Sequence, residues 1–171
     1  GAATIASSAG YNNILAFDVG GTSTDVSLVL GGQPLFTSER KVAGYPVKSP
    51  AIDVSAIGAG GGSIAWIDDG GALKVGPHSA GASPGPVAYG LGGEHITLTD
   101  ANLILGRLNP STLLAGDIAL DLDKAYVEMK RQISTPLGLS VEAAATGIIK
   151  IASSGIARAI RGVASAKGNS P

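Results

Sequence analysis

The chain predicts an α/β fold, with strands concentrated in its first part and helices in its last. Two apolar runs, Ile14-Leu15-Ala16-Phe17 and Val26-Ser27-Leu28-Val29-Leu30, flank a glycine-rich turn. From Thr99 onward, capping residues alternate with stretches of helical periodicity. Between these lies a glycine- and proline-punctuated middle, in a chain where 26 of 171 residues are glycine, about twice the usual share.

Taken in order, residues 1–10 read as the tail of a helix that stops at Gly10. The two strands carried by these apolar runs follow, with Asp18 at the end of the first, then a Gly31-Gly32 turn and a third strand over 33–42. Leu35 and Thr37 there alternate with Phe36 and Ser38. Residues 14–42 are thus expected to form a three-stranded antiparallel meander. Pro46 and Pro50 mark a loop, and residues 52–57 are a strand or a short helical turn. Gly58 to Gly62 must be irregular: either a backbone that closely approaches a ligand or a facing loop, or a flexible or tightly packed turn. Residues 63–68 and 72–75 read as a hairpin around Asp69-Gly70-Gly71, with Trp66 as a packing anchor. Residues 76–93, rich in glycine and proline, read as an ordered loop without regular structure.

A helix is expected from Thr99 to Leu108, with Thr99 as its N-cap, Asp100 in its first turn and Pro110 as its stop. Residues 117–123 read as a charged linker. Asp121 caps a second helix over 122–133, stopped by Pro136 and Gly138. Ser140 caps a third, which ends at Gly168. Its Gly147, Gly155 and Gly162 each cost helix propensity, about 1 kcal/mol against Ala. Close approach to a neighbouring element is the expected return. Arg158, Arg161 and Lys167 read as a solvated face suited to the C-terminal end of the helix dipole.

The bulk numbers exclude several classes. A net charge of −1 with 15% charged residues gives no electrostatic footprint for nucleic acid. There is no basic amphipathic helix for a membrane surface. Lys150, Arg158 and Arg161 interrupt the apolar stretches, so no bilayer-spanning segment is expected. No signal-peptide pattern is present, and a cytoplasmic location is expected. With no cysteine, disulfides, thiolate ligation and thiol catalysis are excluded. His78 and His95, seventeen residues apart, lack a His or Cys partner at metal-ligand spacing and read as surface residues. No G-x-S-x-G elbow is present.

The chemistry concentrates in Asp18-Val19-Gly20-Gly21-Thr22-Ser23-Thr24-Asp25. Adjacent glycines can adopt φ > 0 and carry no side chain, so their amides can converge on an anion. Thr22, Ser23 and Thr24 add hydroxyls, and Asp18 places a carboxylate where Mg²⁺ could be held. A plain Gly-Gly hairpin with polar turn residues fits the same spacing. Asp53 and Asp100 are the other acids in the motif stretches, with structural alternatives as a turn former and a first-turn residue.

Four stretches in order then resemble the hydantoinase A/5-oxoprolinase family, within the actin/sugar-kinase/heat-shock ATPase superfamily. They are residues 18–25, 52–66 (Ile-Asp-Val-Ser-Ala-Ile-Gly-Ala-Gly-Gly-Gly-Ser-Ile-Ala-Trp), 76–86 (Gly-Pro-His-Ser-Ala-Gly-Ala-Ser-Pro-Gly-Pro) and 99–108 (Thr-Asp-Ala-Asn-Leu-Ile-Leu-Gly-Arg-Leu). From the first to the last they span roughly half the chain. The resemblance implies an incomplete ribonuclease H-like, actin-like ATPase lobe, divided as 11–42, 43–98 and 99–168. It implies ATP-dependent opening of cyclic amides such as hydantoins or 5-oxoproline, or related ketone carboxylation, by phosphorylation of a carbonyl oxygen. ATP and Mg²⁺ are the implied cofactors. Gly20, Gly21, Thr22, Ser23, Thr24, Gly60 and Gly61 would contact the nucleotide, Asp18 the metal, and Asp18, Asp53 and Asp100 would be catalytic. The implied partners are the remainder of a longer polypeptide and a hydantoinase B-like subunit. The chain departs from the family pattern at Ser55, commonly His, and at Ala88, commonly Cys. Family members are several times longer and carry a second phosphate loop, so the isolated chain is expected to turn over no substrate. A sugar-kinase-like phosphotransferase lobe and a non-catalytic scaffold of the same fold are the competing readings.

Overall fold

A computed structural model describes residues 1–38, 40–42, 44–111 and 119–168. Residue 39 of the expected third strand, and Asp117 and residue 118 of the expected linker, lie outside them. The chain is mixed α/β, with antiparallel strand pairs and helices. It divides into two compact units. The first comprises Gly1–Asp18, Thr24–Ile57 and Ala159–Pro171; the second comprises Val19–Ser23 and Gly58–Arg158.

In the first unit, helix α1 (Ala2–Ser8) ends at Gly10, whose φ of +85° suits glycine. Strands β1 (Ile14–Val19), β2 (Thr24–Leu30) and β3 (Gln33–Pro34) are neighbours in that order. Gly31 and Gly32, at φ +58° and +77°, turn β2 into β3, as the Gly-Gly pair predicts. Alternation in β2 buries Thr24, Val26 and Leu28 on one face.

The third strand differs from expectation. It breaks into β3, β4 (Phe36–Thr37) and β5 (Arg40–Val42). β5 pairs with β6 (Tyr45–Val47), and β4 with β7 (Ala51–Ile52). β8 (Val54–Ile57) pairs with residues 24–27 of β2, leaving β3 only Val29 and Leu30. One strand cannot offer the same backbone edge to two partners, so the run after Pro34 turns away and pairs elsewhere. Residues 52–57 are therefore strand, interrupted at Asp53, whose amide donates to the Leu35 carbonyl (2.8 Å). Asp53 also forms an ion pair with Lys167.

In the second unit, β9 (Ser63–Ile67) and β10 (Leu73–Ser79) form the expected hairpin, but β10 runs four residues further than 72–75. Residues 76–93 thus hold the end of a strand and a 3₁₀ turn at Val87–Tyr89, a correction to the reading without regular structure. Pro86, Val87 and Ala88 are fully buried. Helix α2 (Leu98–Ile104) starts one residue before Thr99, and Thr97 is the cap. It stops at Ile104, well before Pro110. Asp121 caps α3 (Leu122–Met129), accepting from the Lys124 amide at 2.8 Å. The helix continues through a π turn, Lys130–Ser134, into α4 (Thr135–Leu137) past Pro136. Gly138, at φ +64°, ends it. Ser140 caps α5 (Val141–Ala166), accepting from the Ala143 amide.

The core of this unit is built by Ala65, Val87, Ile96, Leu98, Ala101, Met129, Ile133 and the Val141, Ala144, Ala145, Ile148, Ala152 stripe of α5. Burying each of its large aliphatic side chains is worth about 1.5–3 kcal/mol. Gly147 does give close approach, since a Cβ there would stand 3.2 Å from the Leu73 side chain. Gly155 and Gly162 meet no such neighbour among the described residues, so close approach does not explain them. α5 is long and apolar enough to cross a membrane by length and composition, contrary to the sequence expectation. Its first half is the core helix of this unit.

Candidate functional site

The second unit brings four backbone segments together. The turn from Gly20 to Ser23 closes on itself, the Gly20 amide donating to the Ser23 carbonyl at 2.8 Å. Neither Gly20 nor Gly21 adopts the left-handed φ that the sequence suggests. Their glycine character has another source. The Gly61 amide donates to the Gly20 carbonyl (2.9 Å) and the Gly62 amide to the Gly21 carbonyl (2.6 Å). A Cβ on Gly60 would stand 2.6 Å from the Gly20 oxygen and 2.8 Å from that of Gly21. The irregular run at 58–62 is therefore a backbone laid against a facing loop.

This packing orients the turn. In a trans peptide the C=O and the following N–H point in opposite directions. With the carbonyls of Gly20 and Gly21 held by the glycine run, the N–H groups of Gly21 and Thr22 point away from it. Both residues are exposed, and among the described residues neither amide has a protein acceptor. A Cβ on Gly21 would meet no described atom within 4 Å. The result is two adjacent, outward main-chain donors beside the hydroxyls of Thr22 and Ser23, an arrangement suited to anionic oxygens.

A second layer fixes the glycine run. The Gly61 carbonyl accepts from the Thr99 amide (2.8 Å) and from Thr99 Oγ1 (2.9 Å) at the start of α2. The Gly62 carbonyl accepts from the Ala80 amide, and Ser63 Oγ from the Gly60 amide. Behind Thr99, Asp100 is fully buried. Its Oδ1 accepts from the Ala88 amide (2.8 Å), and its Oδ2 from the Thr97 amide and hydroxyl (2.8 Å each). Burial raises its pKa above the ordinary 3.8, against the lowering effect of these donors.

The sequence-predicted residues therefore separate. Gly20, Gly21, Thr22, Ser23, Gly60, Gly61 and Asp100 belong to the second unit; Asp18, Thr24 and Asp53 belong to the first. Asp18 is exposed at the end of β1, and Thr24 is fully buried. The amides of Gly60 and Gly61 already serve protein acceptors, and Asp100 holds the 3₁₀ turn to the head of α2. Sequence reading missed Gly62 and Thr99 as parts of the turn's support. Thr97 was legible: Thr97-Leu98-Thr99-Asp100 has the three-residue spacing of a capping box.

His78 and His95 lie in the same unit and line one open cleft of about 420 Å³ with Ile64, Trp66 and Pro77. Both are exposed. No group of three or more potential metal ligands occurs among the described residues.

The fold and the site together define an α/β chain with a glycine turn pinned through its main chain, and the comparisons with known proteins place it more narrowly. The chain belongs to the hydantoinase/oxoprolinase family, whose model matches residues 1–171. It is 46% identical over 162 residues to the caprolactamase subunit alpha of Pseudomonas jessenii, covering 95% of this chain and 23% of that protein. It is 42% identical over 171 residues to the 5-oxoprolinase of Saccharomyces cerevisiae, covering 92% and 13%. Among solved structures, nucleotide-free acetone carboxylase superposes with a TM-score of 0.84 at 37% identity, over 99% of this chain and 24% of that one. The ATP-dependent caprolactamase of Pseudomonas jessenii superposes at 0.82. The chain spans less than a quarter of the length of each of these relatives.

Proposed function

We propose that this chain is the phosphate-gripping part of an ATP-dependent enzyme that opens cyclic amides. The observation that carries the reading is the pinned turn: two neighbouring amides, on Gly21 and Thr22, turned outward by hydrogen bonds to the carbonyls behind them. Preorganised donors of this kind stabilise developing charge without reorganising during reaction. Similarity to a caprolactamase subunit and a 5-oxoprolinase supports the substrate class.

In this reading the amides of Gly21 and Thr22 and the hydroxyls of Thr22 and Ser23 hold the terminal phosphate oxygens. Asp18, a solvent-exposed carboxylate, offers the oxygen donor that Mg²⁺ prefers. Bound ATP supplies the phosphoryl group that activates the amide carbonyl oxygen. Gly60 and Gly61 support the turn rather than touch nucleotide. Asp100 is a positioning residue that anchors the head of α2, and through it Thr99 and Gly61. Asp53 braces β8 through Lys167 in the first unit. The strands, glycine turn and helices form one lobe of an actin-like ATPase fold. A longer polypeptide and a partner subunit complete the enzyme, so the isolated chain binds nucleotide weakly and does not hydrolyse it.

Calorimetric titration with a non-hydrolysable ATP analogue, with and without Mg²⁺, tests the reading. Binding that strengthens with Mg²⁺ and weakens at least about tenfold in Gly21→Ala is expected. Binding indifferent to that substitution would overturn it.

A further inference from the structure

The cleft lined by Ile64, Trp66, Pro77, His78 and His95 has a structural origin. β9 alternates: Ser63 and Ala65 are buried, so Ile64 and Trp66 share the opposite, outer face. On one edge β9 pairs with β10. On the other, Ile64 bridges Thr97 and the Ala65 amide donates to the Ile96 carbonyl (2.8 Å), which brings His95 alongside. The β9–β10 register slips. Val75 faces Ala65 and Ser79 faces Ser63, so β10 advances four residues while β9 advances two. This bulge carries Pro77 and His78, and bulges commonly re-aim side chains beside functional sites. Trp66 Nε1 donates to the Gly76 carbonyl at 2.8 Å. That bond fixes the indole and leaves its ring as a wall.

We infer that this cleft binds a small uncharged ring carrying both a hydrogen-bond donor and an acceptor, of the cyclic-amide class. Indole, isoleucine and proline supply apolar walls for the ring methylenes. Among the described lining residues Trp66 Nε1 is committed to the Gly76 carbonyl, so the two imidazoles supply the polar side-chain groups open to a ligand, and a neutral imidazole offers one donor and one acceptor nitrogen. A cis amide in a ring presents its N–H and C=O on one edge, and that edge meets the imidazoles. Apolar walls with a few convergent polar groups and a volume of this size are the usual make-up of a small-molecule site. The choice of ring chemistry rests on the function proposed above; the existence of the cleft does not.

Trp66 is the single tryptophan, and His78 and His95 are the only histidines, so the cleft reports on itself. The test titrates the chain with ε-caprolactam, without nucleotide, and follows Trp66 fluorescence. A saturable change is expected. His78→Ala and His95→Ala should each weaken binding about fivefold, the worth of one hydrogen bond, and N-methylcaprolactam, which lacks the donor, should lose a similar factor. Both histidines are exposed, so the variants keep the fold, which circular dichroism checks. A non-saturable response, affinity unchanged from the parent in both histidine variants, or affinity for the N-methylated ring equal to that for ε-caprolactam would each overturn the inference. Because no nucleotide is present, a failed nucleotide titration leaves this result standing, and a failed lactam titration leaves the role of the glycine turn standing.

Discussion

Two glycine-rich regions meet in the second unit, and glycine stands in them for opposite reasons. At 60–62 the protein itself demands it. A Cβ on Gly60, Gly61 or Gly62 would come within 3.0 Å of the facing loop's backbone, of Thr99 Oγ1 or of Ser79 Oγ. At Gly21 no described atom demands it: φ lies outside the left-handed region and a Cβ would meet nothing within 4 Å. The first region is glycine because the molecule is crowded there. The second is open, which is the condition for a ligand to reach the main chain.

The sharpest way to break this contrast is Gly60→Ala. The new methyl group would collide with two backbone carbonyls that cannot rotate aside, so the run must lift off the turn. A loss of about 1–3 kcal/mol, the usual range for overpacking, is expected in urea unfolding. Nucleotide binding should fall with it, because the peptide planes at Gly20 and Gly21 lose their anchors. An unfolding midpoint unchanged from the parent would show that the two regions are not packed against each other.

Asp100→Asn comes next. Both carboxylate oxygens accept, together from two amides and one hydroxyl. An asparagine must turn an NH₂ toward one of those donors, at a cost of about 1–3 kcal/mol. The pH dependence gives a second reading. Because the folded pKa is raised, the stability tied to this group is fully present below 3.8 and is lost as pH rises through the raised value. The asparagine variant should lose that slope. A slope that survives would place the buried titration elsewhere.

Much of this was legible beforehand, and the parts that were not share a cause. Side-chain patterns give local structure: the alternation in β2, the caps at Asp121 and Ser140, and the Gly31-Gly32 turn all follow from residue type. The pairing of Gly20 with Gly61 uses only main-chain atoms and residues without side chains, so no periodicity records it. The division of β2 between β3 and β8 likewise depends on which segment reaches an edge. His78 and His95 meet because of a bulge and an isolated bridge, neither of which leaves a composition signal. Three of the family motifs contain segments that the structure brings into one unit: the turn, the glycine run and the head of α2.

Thr99→Val probes the link between the protein-facing layer and the open one. The Gly61 carbonyl would keep the Thr99 amide and lose only the hydroxyl, so about 0.5–1.5 kcal/mol of stability should go. Thr99→Ser should restore it. If the hydroxyl also fixes the plane of the Gly20–Gly21 peptide through Gly61, valine should weaken nucleotide binding and serine should rescue it. Weakening that serine does not rescue would mark a packing effect of the methyl group.

Gly21→Ala has the smallest effect on the fold and the most specific on the ligand. The site is open and the backbone outside the left-handed region, so alanine fits where glycine stands. Replacing glycine under those conditions commonly adds about 0.4–1 kcal/mol, because the unfolded chain has fewer states to lose. The same methyl group would stand beside the outward amides, on the path of any oxygen approaching them. Stability should therefore rise slightly while nucleotide affinity falls. A general loss of structure cannot move two measurements in opposite directions, so the pair isolates the turn's outer face. Alanine that raises stability and leaves nucleotide affinity intact would mean that the open face of Gly21 is merely a loop tip.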